Sequence, residues 1–336
     1  MQNSLFFIPS FLEYPISFSK MNLVLSVMNL CIKKVLYQTN PQPSATFRRL
    51  RKQLTLFPNK RTSLLKKHSL MNPSRKYNRS LHAHISKGTT SDDRFMPKGY
   101  VKSFAEKEGL ILTEKLDGQN NCFNKQGVFA RSHTAPTEHP WDKPMRERWE
   151  LIKNDLNNLE IFGENMYGVH SIEYTKLESF FYVFAVREGD TWLSWEEVKF
   201  YAAMLDFPVV PELTITTPLN ACWKEGIDEN RILEDWLTLN LGMTWEESVK
   251  TSGRLGGIDP TSRNPYSEGF VVRNKHAFQT NNGDLPVEEN EFDNLFKLVR
   301  SSHVKTDVHW SKTWKPAQLV DYEQYKWFSY AFLDKL

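Results

Sequence analysis

The chain has 336 residues, 40% apolar and 25% charged, with 43 lysines and arginines against 40 acids for a net charge of +3, the balance of an ordinary soluble protein. Its three cysteines, Cys31, Cys122 and Cys222, include no C-x-x-C pair, which excludes a disulfide framework and structural zinc and points to buried thiols in a reducing compartment. The charge is divided: the first 90 residues hold fifteen basic residues and one acid, Glu13, leaving 28 basic and 39 acidic residues beyond, a net of −11. A nucleic-acid surface on that acidic part must therefore be a local patch.

The first 75 residues form a basic, acid-poor leader rich in Ser and Asn, with runs such as Arg48 to Lys52. It reads as an organellar transit peptide or, equally, as a disordered extension or sequence upstream of a start at Met71. The apolar stretch from Met21 to Ile32 is interrupted by polar residues and too short to span a bilayer, so no transmembrane helix is expected. The cysteine usage and the basic, acid-poor leader are what suggest an intracellular place, in the cytoplasm or mitochondrion. Folded-domain texture begins near Lys76 and runs to about residue 320, with residues 321–336 a short tail.

Ile111 to Thr113 reads as a strand entering E-K-L-D-G-Q-N at Glu114 to Asn120. Gln119 to Phe123 and Val128 to Ser132 then form a hairpin, followed by strands at Glu160 to Phe162 and Phe180 to Val186. Trp195 to Leu205 is a helix capped by Ser194 with Glu197 reaching back, and two more helices lie near Glu229 to Leu239 and Trp245 to Lys250. Gly253 to Gly257 and the D-P-T-S-R-N-P after it are loop, Gly269 to Val272 returns to strand, and Glu291 to Arg300 is apolar at mixed spacing. Without repeats or regular strand-helix alternation, the class is α+β.

K-x-D-G alone carries little, since roughly one chain of this length in ten holds it by accident. A nucleophilic lysine, with an ordinary pKa of about 10.4, needs cations, a metal or burial to lower that value. Downstream partners supply candidates: Arg131 at the hairpin end, Glu164 behind a glycine in F-G-E-N, Phe184 on an aromatic strand, Glu268 in S-E-G-F-V-V-R, and Lys297 and Arg300 in F-K-L-V-R. Each alone has an ordinary structural explanation; their order is what adds weight.

That order, with the long stretches Gly88 to Arg94, Ala130 to Trp141, Phe162 to Tyr174 and His303 to Trp310, resembles the ATP-dependent RNA ligases, one group of the covalent nucleotidyltransferases. It looks most like a compact bacterial type related to the phage nick-sealing ligase, over about Lys76 to Pro316. The resemblance implies an adenylation domain with antiparallel sheets flanked by helices. It also implies three steps: attack of Lys115 on the α-phosphorus of ATP, transfer of AMP to an RNA 5′-phosphate, and sealing by a 3′-OH. Glu114, Lys115, Asp117, Gly118, Arg131 and Glu164 are then expected at the nucleotide or reacting end, with Phe184 stacked on adenine. Glu268 would hold the lysine or a Mg²⁺ or Mn²⁺ ion, and Lys297 and Arg300 would neutralise phosphates. RNA is the implied partner of a monomeric enzyme.

Two departures from the family pattern stand out. Phe184-Ala185 replaces the frequent F-D, and K-x-x-R replaces K-x-K, which leaves Lys305 as an alternative to Arg300. His133, His139, His170, His303 and His309 fit no zinc spacing. Interleaved with Trp141, Tyr167, Tyr174 and Trp310, they line an RNA-end groove or fix loops around the site, and both readings stay open. A DNA ligase, a guanylyltransferase and a catalytically silent RNA-binding protein of the same fold are the alternatives.

Overall fold

A computed structural model describes residues 76–89, 91, 93–280, 293–301 and 310–320. The leader, Cys31, His303, Lys305, His309 and the tail from residue 321 lie outside the described residues.

Two sheets organise the chain. The first, in order β1-β13-β11-β2-β9, joins β1 (Leu81–His82), β13 (Leu295–Val299), β11 (Gly269–Asn274), β2 (Leu110–Lys115) and β9 (Glu212–Leu213). All its pairings are antiparallel except β1 with β13. The second, β12-β8-β7-β5-β3-β4, is antiparallel throughout and joins β12 (Phe278–Gln279), β8 (Thr191–Trp192), β7 (Phe181–Glu188), β5 (Leu159–Asn165), β3 (Gln119–Asn124) and β4 (Gly127–Ala130). A small pair, β6 (Glu173–Tyr174) with β10 (Gly257–Ile258), stands apart.

Helices cover one face of each sheet, as the α+β expectation requires. α1 (Tyr100–Glu106) and α5 (Glu229–Leu241) set Phe104, Ile232, Trp236 and Leu237 against Leu112, Val272 and Phe296 of the first sheet. α2 (Lys143–Ile152) and α3 (Trp195–Met204) set Met145, Ile152 and Val198 against Phe123, Ile161 and Val183 of the second. A third cluster draws on both sheets, combining Phe162, Trp192 and Phe278 with Leu295 and the half-buried Tyr77, Phe184 and Val271. α3 begins with the expected capping box of Ser194 and Glu197, and α6 (Trp245–Ser248) repeats it with Thr244 and Glu247.

Three local differences from the sequence reading bear on the site. β4 stops at Ala130, so Arg131 opens the following turn instead of ending the strand. The 291–300 segment contains β13, whose Leu295, Phe296, Leu298 and Val299 are buried on both sheet faces; a two-sided strand shows no clean alternation, which is why its spacing looked mixed. In β7 the register against β5 slips, with Phe162 opposite Ala185 but Gly163 opposite Val183. Phe184 is the extra residue of that β-bulge, a device that re-aims a side chain out of regular alternation.

Candidate active site

β2 carries Lys115 to the edge of a cavity of about 780 Å³ whose lining comes from both sheets. The neighbouring strand β11 pairs antiparallel with β2, setting Gly269 opposite Lys115, so the residue before it, Glu268, meets the lysine at the strand end. Lys115 Nζ lies 2.5 Å from Glu268 Oε1, with the lysine side chain 25% exposed and the glutamate 6%. Burial alone would lower the amine's pKa, but the adjacent Glu268 carboxylate and its hydrogen bond outweigh it and hold the amine above its ordinary value. Without ligand, Lys115 is therefore an ammonium.

Glu164 ends β5, and its Oε1 accepts the Gly118 N–H at 3.1 Å. Burial first, then Glu268 and Asp117, push its carboxyl up to about 8, against the pull of Lys115. It is mostly protonated at neutral pH, so it lines the cavity as a neutral group able to donate as well as accept. Gly118 is required here by close approach: a Cβ would sit 2.5 Å from the Asn165 carbonyl oxygen.

Of the residues singled out in the sequence, Glu114, Lys115, Gly118, Arg131, Glu164, Phe184 and Lys297 line the cavity. Four act away from its wall or differ from expectation. Asp117 Oδ2 accepts the backbone N–H groups of Ser171 (2.7 Å) and Ile172 (2.9 Å), and its own N–H donates to the Tyr174 hydroxyl, so it ties the lysine turn to the 170–174 segment. Glu268 reaches the cavity through its contact with Lys115. Arg300 lies over the Tyr266 ring, 3.6 Å from its centroid, and donates to Val249 O; it is not a lining residue. The reason is pleat geometry: an offset of three from Lys297 falls on the opposite face, where an offset of two would have shared it. Glu114, although its residue lines the cavity, turns its carboxylate to the Arg254 N–H at 2.8 Å.

Several groups escaped the sequence reading. Tyr77, from the segment before β1, packs edge-on against Phe184 at 5.2 Å between centroids. Arg273 on β11 is buried in the cavity wall, donating to the Leu193, Asn274 and Phe184 carbonyls; burial holds it down to about 10, still a cation. Lys297 Nζ lies 3.5 Å from Asp93 Oδ1, and the same oxygen lies 3.3 Å from His82 Nε2. The other ring nitrogen of His82 meets Ser86 Oγ at 2.7 Å, and that hydroxyl also accepts the Val299 N–H. Burial, then Lys297, push His82 down to about 4, so it is a neutral ring. This Ser-His-Asp row is structural: the serine is buried at the Nδ1 side and faces β13. The signal was present, since Asp93 belongs to the family-like 88–94 stretch, but its partner lies two hundred residues away.

With Arg273 committed to backbone carbonyls, the other three cavity cations, Lys115, Arg131 and Lys297, together with the half-buried Phe184 ring, suit a nucleotide's phosphates and base. Among the described residues no three His, Cys, Asp or Glu groups converge to cage a metal ion. Cys122 is fully buried, with its thiol pushed well up by burial, and it forms no disulfide.

A family model described as RNA ligase matches residues 108–299, more than half of the chain. The chain belongs to the RNA ligase family. Solved structures similar to this family member include a Naegleria gruberi RNA ligase mutant with ATP and Mn, 16% identical, covering 65% of this chain and 57% of that one at a TM-score of 0.35. Another mutant of the same ligase, with AMP and Mn, is 13% identical over 68% and 60%, at 0.36. A putative ATP-dependent DNA ligase from Aquifex aeolicus is 13% identical over 67% and 50%, at 0.32. The chain spans less than two thirds of the length of these structures, and at such scores the likeness places none of its residues onto theirs. No curated protein matches it. Among the described residues no helix is long and apolar enough to cross a membrane.

Proposed function

We propose that this protein is an ATP-dependent RNA ligase that joins RNA 3′-OH and 5′-phosphate ends through lysyl-AMP on Lys115. The observation that carries the proposal is the Lys115–Glu268 contact in a cavity that also gathers Arg131, Lys297, Glu164 and Phe184. Attack forms a bond from Nζ to the α-phosphorus and breaks the bond from that phosphorus to the bridging oxygen, releasing pyrophosphate. Nζ must shed two protons: Glu268 Oε1, 2.5 Å away, takes the first as the amine becomes the nucleophile, and the second leaves with the pyrophosphate. Lys297 and Arg131 offset the charge on the phosphates, and Phe184 stacks on adenine. Mg²⁺ or Mn²⁺ supplies further charge neutralisation when bound with the nucleotide, with Glu268 its candidate protein ligand. AMP then passes to the RNA 5′-phosphate, and the 3′-OH displaces it.

The family-like stretches favour the compact bacterial type related to the phage nick-sealing ligase, with residues 76–320 as the catalytic domain acting as a monomer. Residues 1–75 are proposed as an address or an RNA-binding extension, in the cytoplasm or mitochondrion. The test is incubation with α-labelled ATP or GTP and Mg²⁺ or Mn²⁺, followed by denaturing electrophoresis. A label retained with ATP and absent from Lys115→Ala is the expected result. No adduct sinks the enzyme and leaves an RNA-binding protein, whereas preference for GTP points to a guanylyltransferase. Sealing of nicked RNA against nicked DNA then fixes the substrate.

A further inference from the structure

One cavity holds two aromatic surfaces, and a single mononucleotide has one base. The first surface, Phe184 with Tyr77 and Trp192, belongs to β7, β8 and the segment before β1. The second is assembled from three distant parts of the chain. His139 stacks on Trp141 (4.6 Å between centroids, 15° between planes), Trp141 meets Trp310 edge-on at 5.0 Å, and Trp310 stacks on His170 at 3.8 Å and 23°. All four line the cavity that holds Lys115, and no ring contact links the two groups among the described residues.

The second surface is anchored. Asn165, next to Glu164, donates to the Trp141 carbonyl at 3.1 Å and to Asp142 at 2.9 Å, and His170 precedes the two N–H groups that Asp117 holds. Residues fixed to Glu164 on one side and to the lysine turn on the other thus carry the rings. The loop that ends in His139 begins with Arg131, so one loop brings both a guanidinium and a ring to the cavity. Trp141 Nε1 is a buried donor with no acceptor among the described residues. Stacking rings and a cation together match a nucleotide with its phosphate, the combination by which single strands are bound. A peptide would use the rings but leave the cation idle.

We propose that His139, Trp141, His170 and Trp310 form a second stacking site, which takes the first base of the RNA strand whose 5′-phosphate receives AMP. The assignment rests on the RNA-ligase reading above. It sorts the histidines that the sequence left together: His139 and His170 join this wall, while His133 stacks on Phe129 and lies outside the cavity lining.

The test uses the full chain and three 5′-phosphorylated RNAs: ordinary, abasic at the first nucleotide, and abasic at an internal one. Preformed lysyl-AMP enzyme is mixed with each, and AMP transfer is followed in a single turnover, while quenching of tryptophan fluorescence reports binding without chemistry. The first-nucleotide abasic RNA should bind and react at least about tenfold less well, some 1.4 kcal/mol, and the internal abasic RNA should behave like the ordinary one. Trp141→Leu should erase the difference between ordinary and first-nucleotide abasic RNA, and Trp141→Phe, which keeps a ring, should restore it. Equal transfer and equal quenching by the ordinary and first-nucleotide abasic RNAs overturn the proposal. Absence of lysyl-AMP together with base-dependent quenching leaves the wall standing and sinks the ligase reading instead.

Discussion

Lys297 takes its position from a carboxylate outside its own strand. Asp93 lies within 3.5 Å of both Lys297 and neutral His82, and His82 is held in parallel register with Lys297 by β1 and β13. Asp93→Asn removes that counter-charge and should destabilise the protein by about 1–3 kcal/mol, the penalty of a buried polar group left poorly matched, while raising the ATP concentration needed for adduct formation. An unchanged melting temperature and ATP dependence would refute it. Glu164 makes a pH prediction. Its folded-state pKa of about 8 exceeds an unfolded value of about 4.3, so the folded protein holds the extra proton between those values. Its stabilising contribution is complete below the lower value and is lost as pH rises through the upper one. Melting temperatures from pH 5 to 9 should therefore fall more for the wild type than for Glu164→Gln. His82, with a depressed value of about 4, works the other way and contributes stability lost as pH falls below its ordinary range. At this scale the sequence named Lys115, Arg131, Glu164, Phe184 and Lys297, and all five line one cavity. What it hid was pairing over long separations: Asp93 with Lys297 has no local signature.

The β7 bulge shows what is legible in an element and what is not. F-F-Y-V-F-A-V announces a strand buried on both faces, but a run of uniformly apolar residues contains no mark for a skipped partner, so the slip at Phe184 is visible only once β5 is alongside. Gly163 makes room for it. A Cβ at Gly163 would come 2.4 Å from the Phe181 ring and 2.7 Å from the Tyr182 carbonyl oxygen. Gly163→Ala should thus cost about 1–3 kcal/mol through overpacking and, by shifting Phe184 and Glu164 together, weaken ATP use more than its stability loss explains. A thermal melt paired with an ATP titration of adduct formation checks both halves. Helix ends were the easier case. Ser194 and Thr244 each carry their signal within four residues, and both capping boxes are present.

For the whole molecule, charge and topology make separate statements. The residues beyond position 90 are net acidic, and the cavity offers three lining cations to phosphates at Lys115, Arg131 and Lys297. RNA affinity carried by those three should fall with salt at a slope of only about −2 on logarithmic axes, from roughly 0.7 per single-strand phosphate contact. A steeper slope that relaxes when Arg48, Arg49, Arg51 and Lys52 are neutralised would assign the difference to the leader. The sequence showed that charge division directly, and it showed α+β. It did not show two sheets sharing one cavity, because that requires knowing which strands are neighbours. The neighbours of β2 have a consequence for synthesis. Lys115 lies on a strand flanked by β11 and β9, and the sheet closes only when β13 slots between β11 and β1. At ordinary rates the ribosome needs about 10–40 s to pass from Lys115 to Val299. During that interval the nucleophile rides on an unfinished sheet with open edges, prone to wrong pairing. A nascent chain stalled before Glu268 would hold the six-stranded sheet's main strands yet lack Glu268 and Lys297, so it would be inert toward ATP and a client for chaperones.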